Sequence, residues 1–311
     1  MAYVGGKARR CEHILSLLNH PEFDGMDYLE PFVGYAHILR RVENKKRYDA
    51  SDVNSTLITL LKGVQKGQRF PKISRAEYER LRPQKHDKSF RRAVAAFAYS
   101  YKGSEWIGYF NECPERNRMY AQEHKRYYDK LHDNDIFQDT HLRSISYRGI
   151  HPKDKLVYCD PPYRATTKYN EGSDFDHDLF WSTMREWSRR NIVFVSEYRA
   201  PSDFACVASC EKYNNLAPQG EPDLRIERVF VHKSLLPKVR EIARDAKHNY
   251  ARATPTPAYR GSGGTRRRTK SARGTKSTQR VTKKSARRTN PQKKRIARRS
   301  ARRSREKVRR R

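Results

Sequence analysis

Apolar positions recur along the chain in two rhythms. Cys11, Ile14, Leu15 and Leu18 fall near one helical face and predict a helix over 8–19, with Pro21 after its stop. A short strand is predicted around 27–31, running into a turn at Gly34. A helix from Ala36 to about Glu43, a strand near 47–50 and a helix from about Ser55 to Gln65 follow. This β-α-β-α order is the opening of a doubly wound sheet. The pattern then turns helical, over 74–82, 89–101 and 116–131, with polar loops such as 82–88 between, and reads as a mostly helical insertion. The sheet resumes with a strand at 155–159. A helix at about 177–189 follows, with Asp176 as its N-cap, then a buried strand at 191–196 and a last pair at 205–213 and 225–232. Cys206 and Cys210 are evenly spaced within a strand and are expected to share a buried face, while Trp181 and Trp187 read as core.

Composition divides the chain. Its 311 residues suffice for one sizeable core. Residues 252–311 hold 25 Lys or Arg against one acid, Glu306, so they carry +24 of the net +33, and the first 251 residues carry the other +9. After about residue 250 the sequence collapses to Arg, Lys, Ser, Thr, Ala and Gly, with loose Ser-Ala-Arg units at 271, 285 and 300. The expectation is a folded domain over 1–250 and a disordered Arg/Lys-rich tail over 251–311. Such a polycation implies a polyanionic partner, with nucleic acid ahead of an anionic membrane surface. No run of about 18 apolar residues is present to span a bilayer, and the N-terminus lacks a signal-peptide apolar region. Five scattered cysteines point to a reducing, intracellular compartment rather than a disulfide framework.

Three segments carry chemistry. In Val157-Tyr158-Cys159-Asp160-Pro161-Pro162-Tyr163 a buried strand runs into an acid, two prolines and an aromatic. The prolines fix φ and withhold two N–H donors, so the turn is rigid. It suits holding Asp160 and backbone carbonyls as acceptors at the carboxyl end of a sheet, where open α/β folds bind ligands. An exocyclic amine donates two N–H bonds. Acceptors aligned on them turn its lone pair towards an incoming methyl group, and Tyr163 would stack on the base. The plainer alternative is a strand-ending turn with a buried tyrosine. In Leu29-Glu30-Pro31-Phe32-Val33-Gly34 a strand meets a glycine turn that lets backbone approach a ligand. Asp52 follows Gly34 by 18 residues, where an acid grips a ribose diol or caps the next helix. Ala2-Tyr3-Val4-Gly5-Gly6-Lys7 fails as a phosphate-binding loop, because the upstream glycine is missing and Ala8 stands where Ser or Thr is required. It suits a cofactor with a carboxylate, which Lys7 would pair with and Tyr3 would pack on. Asp174, Asp176, His177 and Asp178 read as helix-capping and solvent-facing, so no metal is expected. Arg91 and Arg92 would touch phosphates or form a solvated helix face.

Together these segments resemble the Dam-like, D12-class adenine-specific DNA methyltransferases, particularly the forms of phages and large DNA viruses. Tyr3 to Lys7 match the family's aromatic-x-Gly-Gly-Lys segment, and Glu30 to Gly34 its Glu-Pro-Phe-x-Gly segment. Asp52 matches the acid after the second strand, and Asp160 to Tyr163 match Asp-Pro-Pro-Tyr. Further matches are Tyr101-Lys102-Gly103-Ser104-Glu105-Trp106, Thr166-Thr167-Lys168-Tyr169, Phe175-Asp176-His177 and Val195-Ser196-Glu197-Tyr198-Arg199-Ala200-Pro201. The resemblance spans about 1–232. It implies a Rossmann-like, doubly wound S-adenosylmethionine-dependent sheet with a target-recognition insertion at about 55–150. S-adenosyl-L-methionine would contact Tyr3, Lys7, Phe32, Gly34, Asp52 and Asp160, and Asp160, Pro161, Pro162 and Tyr163 would form the target-adenine site. The substrate would be double-stranded DNA, with no membrane partner and no metal, and the setting cytoplasm, nucleoid or a host nucleus. Two departures stand out. Tyr35 replaces a usual second small residue and would narrow the cofactor loop. Ala2 stands where some members carry a base-contacting Lys. The rival readings are an RNA adenine methyltransferase, since similar turns serve RNA, and a catalytically silent DNA-packaging protein whose working part is the tail.

Overall fold

The computed structural model describes residues 12–110, 114–163, 175–214 and 223–253. Helix α1 (Glu12–Leu18) leads into β1 (Asp27–Glu30), β2 (Arg47–Asp52) and α2 (Ser55–Gln65). Then come α3 (Arg75–Leu81), α4 (Phe90–Ala98), α5 (Pro114–His132) and the single turn α6 (Asp135–Gln138). The sheet continues with β3 (Thr140–Ser144) and β4 (Lys155–Cys159), followed by α7 (His177–Trp187), β5 (Ile192–Glu197), β6 (Phe204–Asn214), β7 (Asp223–His232) and α8 (Leu236–Ala253).

Seven strands form one sheet in the order β3-β2-β1-β4-β5-β7-β6. The first five in that order are parallel, and β7 runs antiparallel between β5 and β6. The strand order reverses between β1 and β4, so the crevice for a ligand opens at the carboxyl ends of those two strands. Period-two alternation divides the core. Tyr28, Leu156, Tyr158 and Phe194 face the side of α1, α2 and α8, and Leu29, Val157, Cys159, Val193 and Val195 face α7. Trp181 and Trp187 lie in that second core as expected.

Side-chain caps start the helices. Ser74, Ser89 and Asn134 accept N–H bonds at the starts of α3, α4 and α6, and Asp176 does so for α7 through Leu179 N–H at 2.9 Å.

Several expectations change. The stretch from Ala36 to Glu43 is no α-helix. Gly34 and Ala36 have φ of 47° and 58°, which breaks any helical start, and only a 3-10 turn at Leu39–Arg41 forms. Strand β3 and helix α8 join the elements read from the sequence, and α8 packs on α1. Cys206 is exposed while Cys210 is buried, because a bulge between Cys206 and Ala208 shifts the alternation. Arg92 is buried, donating to the carbonyls of Leu81 and Arg82 and lying over the Trp106 ring, so it forms no solvated face. Arg91 pairs with Glu77.

Candidate active site

Three neighbouring strands, β2, β1 and β4, bring their carboxyl ends together, carrying Asp52, the segment Leu29 to Gly34 and the segment Val157 to Tyr163 in turn. After β1 the chain turns at Pro31 to Ala36. Gly34 adopts the left-handed conformation, and a Cβ there would meet nothing within 4 Å, so the glycine serves backbone geometry and leaves open space in front of the loop. Its N–H donates to Asp52 Oδ2 at 3.2 Å, and Asn54 N–H donates to Asp52 Oδ1 at 2.9 Å. Val33 N–H reaches the Ser51 carbonyl at 2.9 Å, lacing the loop to β2. Asp52 does not cap α2: Asn54 does, accepting Leu57 N–H at 3.0 Å. Burial raises the Asp52 carboxyl above the usual range, and the Glu105 charge adds to this, while the amides of Asn54 and Gly34 oppose it. Glu105 belongs to the helical insertion and accepts a 2.6 Å bond from the Asn54 amide, fastening the insertion to the end of β2.

Tyr35 does not narrow the loop. Its ring turns into the core against Phe97, Tyr127 and Tyr128, and its hydroxyl donates to the Gly103 carbonyl at 2.6 Å. The left-handed Ala36 beside it redirects the chain, and the tyrosine becomes the pin between loop and insertion. Phe32 is half-buried, its ring within 5.3 Å of Tyr147 and 5.8 Å of Phe180, so it walls the loop on the α7 side.

At the end of β4, Asp160 is half-buried, Pro161 buried, Pro162 exposed and Tyr163 half-buried. The Tyr163 hydroxyl donates to Glu227 Oε1 at 2.7 Å, and its ring meets the Tyr198 ring edge-on at 4.9 Å. Burial, with the charges of Asp160 and Glu227, pushes the Tyr163 hydroxyl well above its ordinary value and keeps it a donor. Glu227 was not singled out from the sequence. Its signal is an acid at a position of the same parity as the buried Val229 and Val231. Tyr3 and Lys7, the Thr166 to Tyr169 match and Asp174 lie outside the described residues.

A family model of the D12 class N6 adenine-specific DNA methyltransferases matches residues 3–196. The chain belongs to this family. It is therefore an S-adenosylmethionine-dependent enzyme that methylates adenine N6 in DNA. No curated protein matches it in sequence. Among solved structures it is similar to the rRNA methyltransferase AviRa of Streptomyces viridochromogenes, at 12% identity and a TM-score of 0.35 over 76% of this chain and 88% of that one. It is also similar to a precorrin-6y C5,15-methyltransferase of Geobacter metallireducens GS-15, at 9% identity and 0.31 over 70% and 86%. Neither superposes closely, and the family assignment stands on the sequence match.

The methyltransferase's residues fit its cofactor. An ionised carboxylate only accepts hydrogen bonds, which suits the two hydroxyls of a ribose, and the Gly34 and Asn54 amides hold the Asp52 carboxylate in place. The open space at Gly34 leaves room for a ligand to approach the backbone there. Among the described residues no group of three His, Cys, Asp or Glu side chains is placed to hold a metal, and no helix is long and apolar enough to cross a membrane.

Proposed function

We propose that the chain methylates a flipped adenine at specific sites in duplex DNA, with Asp52 gripping the cofactor ribose and the turn 160–163 holding the base. The observation that carries this reading is the junction of the two: a rigid Asp-Pro-Pro-Tyr turn ends β4, directly beside β1, whose loop is bound to Asp52. Adenine N6 is engaged in base pairing within a duplex, so the base must leave the stack to be reached. Asp160 and the carbonyls of the turn accept hydrogen bonds from N6, and Tyr163 stacks on the ring. S-adenosyl-L-methionine, when bound, supplies an electrophilic methyl group. The protein's part is to align the amine and exclude alternatives, and alignment alone lowers such barriers strongly. Tyr3 and Lys7 would meet the cofactor's amino-acid end, and Phe32 and Gly34 would line its pocket. Within the predicted 55–150, α2 and β3 belong to the sheet and its core, so the stretch between them would read the target sequence.

Helix α8 carries the folded chain to Ala253, past the predicted boundary at 250; the tail beyond it we assign to non-specific DNA holding, and the working compartment is wherever DNA lies, nucleoid or nucleus. The test is incorporation of labelled methyl groups into adenine-unmethylated plasmid DNA and into RNA of matched sequence, followed by nucleoside analysis. N6-methyladenine in DNA is the expected product. Labelling of RNA alone would overturn the reading.

A further inference from the structure

We propose that Glu227 is a positioning residue for adenine methylation, fixing the Tyr163 ring at the mouth of β4; this rests on the reading of Tyr163 as the residue that stacks on the base. Glu227 lies on β7, beyond the stretch matched by the family model, and is fully buried. A buried carboxylate is an unfavourable way to fill space in a strand, where a valine would pack without desolvation cost. Its Oε1 accepts the Tyr163 hydroxyl at 2.7 Å, and in this buried setting the bond is electrostatically stronger than it would be in water.

The next residue extends the grip. Arg228 pairs with Glu197 in the β5–β7 register and donates to the Tyr198 carbonyl at 2.7 Å, and the Tyr198 ring abuts Tyr163. Two successive residues of β7 thus hold the two tyrosines against each other, one by its hydroxyl and one by its backbone. The turn 160–163 is rigid through its prolines, but those prolines do not orient the ring that follows them. The ring's free torsions are removed by the bond at its far end. A base arriving from the duplex then meets a face already in position, and the ordering is not left to the moment of binding.

The experiment uses the full-length protein, labelled S-adenosylmethionine and adenine-unmethylated plasmid DNA. Glu227→Ala and Tyr163→Phe are each expected to lower kcat by about tenfold with the KM for S-adenosylmethionine unchanged. Glu227→Gln keeps an acceptor oxygen and is expected to restore most of the rate. Combining Glu227→Ala with Tyr163→Phe should cost no more than either alone, because both remove one bond. A purely structural Glu227 would instead lower the melting temperature and leave kcat intact, which overturns the proposal. Should Glu227→Ala fail to fold, Tyr163→Phe decides: wild-type kcat in that variant also overturns it. Tyr163→Ala separates the two readings. Normal turnover there removes the stacking role itself, whereas loss with Tyr163→Ala and none with Tyr163→Phe removes only Glu227.

Discussion

Gly34 and Asp52, 18 residues apart, are joined by a single backbone-to-carboxylate hydrogen bond of 3.2 Å that ties the loop after β1 to the end of β2. The bond orients the carboxylate and anchors the loop at once. Asp52→Ala is therefore expected to weaken S-adenosylmethionine binding about tenfold or more, since hydrogen bonds to charged groups contribute roughly 1.5–3 kcal/mol. Asp52→Asn should fall between, keeping one acceptor. Calorimetric titration of each variant with S-adenosylmethionine checks this, and unchanged affinity in both would move the ribose site elsewhere.

Asp160→Ala should abolish methyl transfer and leave the fold intact. The side chain is half-buried at the end of β4 and not part of either core. Methyl incorporation measured beside thermal melting tests the pair of outcomes, and a folded variant with near-normal turnover contradicts the role given to Asp160.

Acid should destabilise the protein through two buried histidines. Burial pushes His37 and His124 down from 6.5 to about 4, with Arg40 adding to the effect at His37. Both are held neutral in the folded state, while the unfolded chain protonates them near the ordinary value. Stability is then complete above about pH 6.5 and is lost as pH falls towards 4, by up to about 3 kcal/mol for each histidine. Denaturant titrations between those limits should show the loss, and His37→Gln with His124→Gln should flatten it.

Truncation after Ala253, the end of α8, should weaken DNA binding while sparing the chemical step. Each phosphate neutralised contributes about −0.9 to the slope of log affinity against log salt, and most of the chain's excess charge lies beyond that cut. Binding titrations across salt concentrations and single-turnover rates at saturating DNA separate the effects. An unchanged salt slope would show that the tail does not hold DNA, and loss of the single-turnover rate would place it in the active site.

Much of this was readable in the sequence because the site rests on strand ends. Buried runs such as 155–159 announce a strand, and the acid, prolines and glycines that follow mark where it stops. Strand β3 was hidden because it is an edge strand with one buried face, leaving Leu142 as its only aliphatic residue. Helix α8 shows apolar positions at Val239, Ile242 and Ala246, with Leu235 just before it, but lysines and arginines surround them and the run merges into the basic tail. The missing helix after Gly34 reflects backbone conformation at Ala36, a residue whose propensity argues for the opposite. Glu227 was illegible for a different reason. Its partner is 64 residues away and is reached only because β7 returns beside β5.

That return also governs the order in which the enzyme is completed as it is made. Strand β6 leaves the ribosome before β7, yet it has no neighbour in the sheet until β7 arrives to lie between it and β5. Until then β5 presents an open edge and β6 an unpaired ribbon, the kind of surface that recruits foreign strands. Strand β7, the last among the described residues, closes both gaps and brings Glu227 to Tyr163 in the same event. A product cut short before residue 223 would accordingly be inactive and prone to aggregate, never a slower methyltransferase.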